Sequence, residues 1–125
     1  MKLTSPKCNQ ADILWRKTVR SLFSNKCMVC RKQEPEYATG FNKFECHHIL
    51  GRSAWVRWRI ENGMLLCKKH HQRRHETADG KQWLDEIISY RFPSWFAIIE
   101  EMKRIKPSPF TARDLEQAVA ALKDI

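Results

Sequence analysis

The sequence predicts an α+β fold in which a short strand–loop–strand–helix unit carries the chemistry and helices flank it on both sides. Three observations lead there. All five histidines fall between Glu45 and His75, the stretch ECHHILGRSAWVRWRIENGMLLCKKHHQRRH. Phe44–Leu50 and Gly63–Cys67 read as two strands separated by a basic loop too long for a tight turn, which suggests an antiparallel pair. Outside this unit, apolar residues recur at helical spacing. A length of 125 residues suits one domain, 1–125, with its core at about 27–76 and helical flanks at 9–24 and 79–124.

Taken in order, the first flank puts Ile13, Leu14, Leu22 and Phe23 near helical spacing, with Trp15 and Val19 alongside and Asn9 or Asp12 available as a cap. Arg16, Lys17 and Arg20 interleave with them and are able to touch phosphate, although a solvated charged face is the commoner fate of such residues. A polar turn region runs from Arg31 to Gly40, and the first strand breaks at Gly51. Between the strands, Arg52-Ser53-Ala54-Trp55-Val56-Arg57-Trp58-Arg59 mixes basic and aromatic residues. Trp55 and Trp58 fit core cover and nucleic-acid contact equally well, whereas the arginines call for a polyanion. From Lys68 the pattern turns helical.

The second flank begins with a turn at Asp79 and Gly80. Trp83, Leu84, Ile87, Ile88 and Phe92 then form a stripe that Pro93 ends. Ser94 is the expected cap of the next helix, which carries Trp95, Ile98, Ile99, Met102 and Ile105 before Pro107 and Pro109 break it. Thr111 and Asp114 form a capping-box pattern, with Asp for the usual Glu, ahead of Leu115, Val119 and Leu122. Lys106 to Phe110 is the one candidate hinge.

Lys and Arg outnumber Asp and Glu 23 to 14, a net charge of +9, which points to a polyanion, with DNA the best fit. No run of eighteen apolar residues and no export signal is present, so the expectation is a cytoplasmic chain with no membrane partner. The five cysteines include one Cys-x-x-Cys pair, Cys27 and Cys30, matched downstream by Cys67-x-x-His70. That matched spacing favours a structural Cys3His zinc site over a redox pair or a disulfide framework. Such an ion would staple residues near 27 to those near 67.

His71 and His75, four apart on a helix, share one face and are able to bind one ion. His47 and His48 are adjacent on a strand, where neighbours point to opposite faces. One of the two should therefore bind metal while the other does something else.

The order Cys-x-x-Cys, Glu-x-His-His-Ile, Asn-Gly-x-Leu-Leu-Cys-x-x-His-His-x3-His resembles an HNH endonuclease of the ββα-metal type over about residues 27–76. The resemblance implies a ββα-metal module with His48 as general base, His47, His71 and His75 as ligands of a catalytic ion, and Asn62 bracing the loop. It assigns the structural zinc to Cys27, Cys30, Cys67 and His70. Two departures stand out. Many relatives carry cysteine at the position of His70, and Cys46 sits beside the histidine pair, where Glu45 is able to compete with His47 for metal. The basic loop and helical tail are also loosely similar to phage recombination nucleases.

The implied activity is metal-dependent hydrolysis of DNA phosphodiester bonds. Its expected cofactors are a structural Zn2+ and one catalytic divalent ion, Mg2+, Mn2+, Ni2+ or Zn2+, with Arg52, Arg57, Arg59, Arg73 and Arg74 contacting nucleic acid. A non-catalytic zinc-binding DNA-recognition module is the alternative, but it leaves His47, His48, His71 and His75 unused. A purely structural interaction protein leaves the basic loop unexplained as well.

Overall fold

The computed structural model describes residues 3–105 and 108–125. Lys106 and Pro107, in the expected hinge, lie outside the described residues. Six α-helices and one two-stranded antiparallel sheet make up the α+β architecture of the described chain. None of these helices is long and apolar enough to cross a membrane.

Helix α1 spans Pro6–Leu22. It starts earlier than the sequence suggests because Ser5 is the cap, its hydroxyl accepting the Cys8 N–H at 3.3 Å, and Pro6 fits the first turn, where no N–H is needed. Asn9 and Asp12 therefore lie inside the helix. Its buried face is Cys8, Ala11, Trp15 and Val19, while Ile13 and Leu22 are exposed. Asp12 falls within that buried stripe. The chain leaves α1 through left-handed residues Ser24 and Asn25, with the Asn25 N–H returning to the Arg20 carbonyl.

Strand β1 (Glu45–His48) pairs antiparallel with β2 (Gly63–Leu66), each shorter than expected, in the register Glu45 with Leu66 through His48 with Gly63. Every residue of β2 is buried, since the sheet is covered on both faces. Helix α1 packs against it, and so does α3 (Lys68–Glu76). The intervening segment is not all loop: it contains a single turn of helix, α2 (Ala54–Arg57), and a 3-10 turn at Ile60–Asn62.

Two glycines permit close approach. A Cβ on Gly63 would lie 2.6 Å from Val19 Cγ2 and 2.7 Å from Trp15 Cζ2, so α1 rests directly on the β2 backbone. A Cβ on Gly80 would lie 2.4 Å from the carbonyl oxygens of Arg73 and Arg74, so only glycine lets α4 (Gly80–Arg91) start flush against the end of α3.

Helix α5 (Pro93–Met102) follows with Phe92 as the junction. Pro93 opens α5 instead of merely ending α4, and Ser94 is inside the helix, because proline is well suited to the first turn. Helix α6 (Ala112–Lys123) begins with the expected capping box, Thr111 and Asp114 each bonding the other's backbone N–H.

The core has two parts. Leu84, Ile88, Ile99 and Met102 of α4 and α5 pack with Met64, Leu65 and Leu66 of β2. Trp15 and Val19 of α1 pack with Trp58 and with Leu115 and Leu122 of α6. Of the tryptophans of the basic segment, Trp58 is buried in the core, while Trp55 is half-buried against Phe110 with its indole N–H on the Ser108 carbonyl at 2.8 Å.

Candidate functional site

Cys27 and Cys30 sit on a tight turn built by backbone bonds. The Arg31 N–H donates to the Cys27 carbonyl at 2.8 Å and the Cys27 N–H to the Lys32 carbonyl at 3.0 Å, with Arg31 left-handed at φ 62°. The Met28 N–H donates to the Leu65 carbonyl at 2.8 Å, which fastens this knuckle to β2. Arg91 of α4 donates to the carbonyls of Met28 and Val29 from the other side. Cys67 follows β2 directly and precedes α3, so Cys67 and His70 are brought beneath the knuckle by the strand-to-helix turn.

The resulting distances fit a tetrahedral ion. Cys30 Sγ and Cys67 Sγ are 3.9 Å apart, and His70 Nδ1 is 3.6 Å from Cys27 Sγ and 3.2 Å from Cys67 Sγ. Bonds of about 2.3 Å to sulfur and about 2.0 Å to nitrogen give tetrahedral edges of roughly 3.5–3.8 Å. Cys27, Cys30, Cys67 and His70 form a Cys3His group that could hold a metal such as zinc. Burial pushes the Cys67 thiol up to about 11. Burial works against ionisation of Cys30 too, but hydrogen bonds from the Lys32 backbone and from Cys27 and Cys67 outweigh it and leave its pKa below the ordinary thiol value.

The second cluster lies between β1 and α3. His47 is buried, and its ring meets those of His71 and His75 with centroids 5.5 and 5.1 Å away. The Nε2 atoms of His71 and His75 are 3.1 Å apart, and all three histidines offer a ring nitrogen within 4.8 Å of one another. Among the described residues, His47 Nε2 is a buried polar atom with no hydrogen-bond partner, which costs free energy unless something else satisfies it. A buried imidazole with an unpaired nitrogen beside two more imidazoles is a donor set suited to a divalent ion. Burial, reinforced by Arg74, lowers the pKa of His47 to about 3, and burial also lowers that of His71. Both are therefore neutral at pH 7, the form that ligates metal.

Strand alternation sends His48 to the opposite face of the sheet, toward α1. Its ring stacks on Trp15, centroids 3.9 Å apart, and its Nε2 is 3.1 Å from the Arg57 carbonyl oxygen. A carbonyl only accepts, so Nε2 carries the proton and Nδ1 keeps its lone pair. Burial lowers the pKa of His48 to about 4, which leaves this ring neutral also. Asn62, fully buried, accepts the Leu50 N–H at 2.7 Å and donates to the carbonyls of Gly51 and Val56 at 3.1 Å. One side chain thus fixes the segment that supplies the Arg57 carbonyl.

The five arginines of the sequence reading divide. Arg52, Arg59 and Arg73 keep side chains 59%, 42% and 40% exposed, and Arg74 is half-buried near His47. Arg57 is a correction. It is buried, with Nε and Nη2 on Asp12 at 3.0 and 2.6 Å and Nη1 on the Leu3 carbonyl, so its guanidinium is not available to phosphate. The cause is Asp12, a carboxylate inside an apolar stripe, which also accepts the Trp58 indole N–H at 2.9 Å.

Sequence reasoning missed Trp15, Asp12 and Gly63 as parts of the site. The legible signal was Asp12 itself, since a charge at helical spacing among Ala11, Trp15 and Val19 demands a buried partner. No family model, curated protein or solved structure matches this chain.

Proposed function

We propose that this chain is a metal-dependent DNA endonuclease of the HNH, ββα-metal kind. The observation that carries the reading is the division of labour across β1: His47 faces His71 and His75 on one side, while His48 is held by Trp15 and a carbonyl on the other. His47, His71 and His75 would hold one divalent ion, Mg2+, Mn2+, Ni2+ or Zn2+. Such an ion supplies neutralisation of the charge that develops on the phosphate and leaving oxygen.

The chain's own residues do the rest. With Nε2–H committed to the Arg57 carbonyl, Nδ1 of His48 is the atom left to take a proton from the attacking water. The imidazolium formed then keeps its carbonyl acceptor and lies on the π face of Trp15, an arrangement that favours a cation. Asn62 keeps that carbonyl in place through its bonds to Gly51 and Val56. Arg74, and the more exposed Arg52, Arg59 and Arg73 once they exchange their partners Asp12, Glu61 and Asp79, are the members of the basic set that would meet phosphate. The products would carry 5′-phosphate and 3′-hydroxyl ends, and the Cys3His zinc would act structurally by tying the knuckle to β2 and α3.

A zinc-binding DNA-recognition module without catalysis would share the charge and the Cys3His group. It gives no role to the orphaned His47 Nε2 or to the His48 orientation. Incubating supercoiled plasmid with the purified protein and Mg2+, Mn2+, Ni2+ or EDTA tests the choice. Metal-dependent nicking is expected, and its absence with every metal would remove the enzyme reading.

A further inference from the structure

On α1, Arg16 and Lys17 are exposed, and they do not simply face open solvent. Together with Lys43 they line a cleft of about 570 Å³ between α1 and the start of β1, completed by Arg20, Glu45 and Cys46. The Cys46 thiol lies 3.6 Å from the Arg16 carbonyl, so the strand and the helix close its floor.

Arg20 belongs to the wall. Its guanidinium is held by both carboxylate oxygens of Glu34 at 2.7 Å and by the Phe44 carbonyl. Among the described residues, Arg16, Lys17 and Lys43 form no ion pair. Three cations without an ion pair thus converge on one cleft, and among the described residues that line it Glu45 is the only acid.

The cleft also adjoins the histidines. Glu45 lies two residues before His47 on the same strand and acts electrostatically on His71. Two strand residues cover only ~6.6 Å, so the cleft's Glu45 and His47 are near neighbours. We infer that this cleft binds the phosphodiester backbone of DNA on the α1 side of the cleaved bond, so that α1 extends the DNA-binding surface beyond the strand–loop–strand–helix unit. The inference rests on the nuclease reading for the position of the cleaved bond. The cleft's affinity for DNA backbone stands apart from cleavage.

The test uses the full, zinc-loaded chain and a labelled DNA duplex in EDTA-free buffer without added divalent ion. Binding is measured by fluorescence anisotropy across a salt series for the wild type and Arg16→Gln/Lys17→Gln. Lys43→Gln is a second probe, and Lys81→Gln/Lys123→Gln is a charge-matched control whose residues line other clefts. Each phosphate contact removed should reduce the slope of log affinity against log salt by about 0.9. The α1 double variant is therefore expected to lose about 2 in slope and about tenfold or more in affinity at low salt, with Lys43→Gln losing about half that slope. Unchanged zinc content and melting temperature would accompany these losses.

An unchanged slope in the α1 variant overturns the inference, and so does an equal loss in the control, which would make the effect one of net charge. Plasmid nicking by the same wild-type preparation is scored separately. A wild type that binds without cutting counts against the nuclease reading, while the variant slopes still decide the cleft.

Discussion

The imidazole of His48 lies face to face on the indole of Trp15, ring centroids 3.9 Å apart and planes 7° from parallel. The indole is itself fixed, since its N–H donates to the Arg59 carbonyl at 3.0 Å and Gly63 leaves no Cβ between it and β2. The helix that precedes the Cys27–Cys30 knuckle thus sets the orientation of a side chain on β1.

Under the proposed nuclease function, Trp15 would act as a positioning residue. Trp15→Phe retains a stacking face and should lower the single-turnover rate severalfold with little change in apparent DNA affinity. Trp15→Ala opens a core cavity and should cost about 3–5 kcal/mol in stability. Rate and affinity measured on folded Trp15→Phe decide the point: a loss confined to affinity would contradict the positioning role.

Gly63→Ala forces a methyl group against Trp15 and Val19 and should destabilise by about 1–3 kcal/mol. Denaturant unfolding measures it. A neutral Gly63→Ala would mean that α1 yields easily and does not hold His48.

The ion pair of Asp12 and Arg57 is buried on both sides, with side chains 10% and 7% exposed. Removing one partner strands a charge, so Asp12→Ala should cost about 3–5 kcal/mol. Unfolding curves check this, and a loss below about 1 kcal/mol, the range of an exposed pair, would contradict it.

Much of this was legible because ligand spacing is a local property. Cys27, Cys30, Cys67 and His70 could be grouped from their intervals alone, and alternation on a strand separated His47 from His48. What escaped depended on tertiary partners. Arg57 looked like a phosphate contact because its neighbours are basic, yet the buried Asp12 on α1 claimed it. The start of α1 moved because a serine followed by proline is a stronger boundary than an asparagine in mid-pattern. Trp55 and Trp58 were ambiguous because an aromatic residue serves core and nucleic acid equally, and tertiary burial decided it for Trp58.

The two groups that could hold metal share no residue and should be separable. Cys27→Ser or Cys67→Ser is expected to lower both zinc content and melting temperature, since a structural ion contributes folding free energy. His75→Ala should keep the zinc and the fold while weakening the second ion. Metal analysis alongside thermal melts checks both, and an unfolded His75→Ala protein would contradict the assignment.

The central claim is that His48 acts as the base while His47 holds metal, and single-turnover DNA cleavage as a function of divalent-ion concentration tests it most directly. General-base assistance is worth about 10²–10⁴ in rate. His48→Ala should lose that much at every metal concentration, with DNA binding intact, whereas His47→Ala should recover part of its activity as metal is raised. Rescue of His48→Ala by metal with no rescue of His47→Ala would exchange the two roles, and full activity in both variants would contradict the nuclease account.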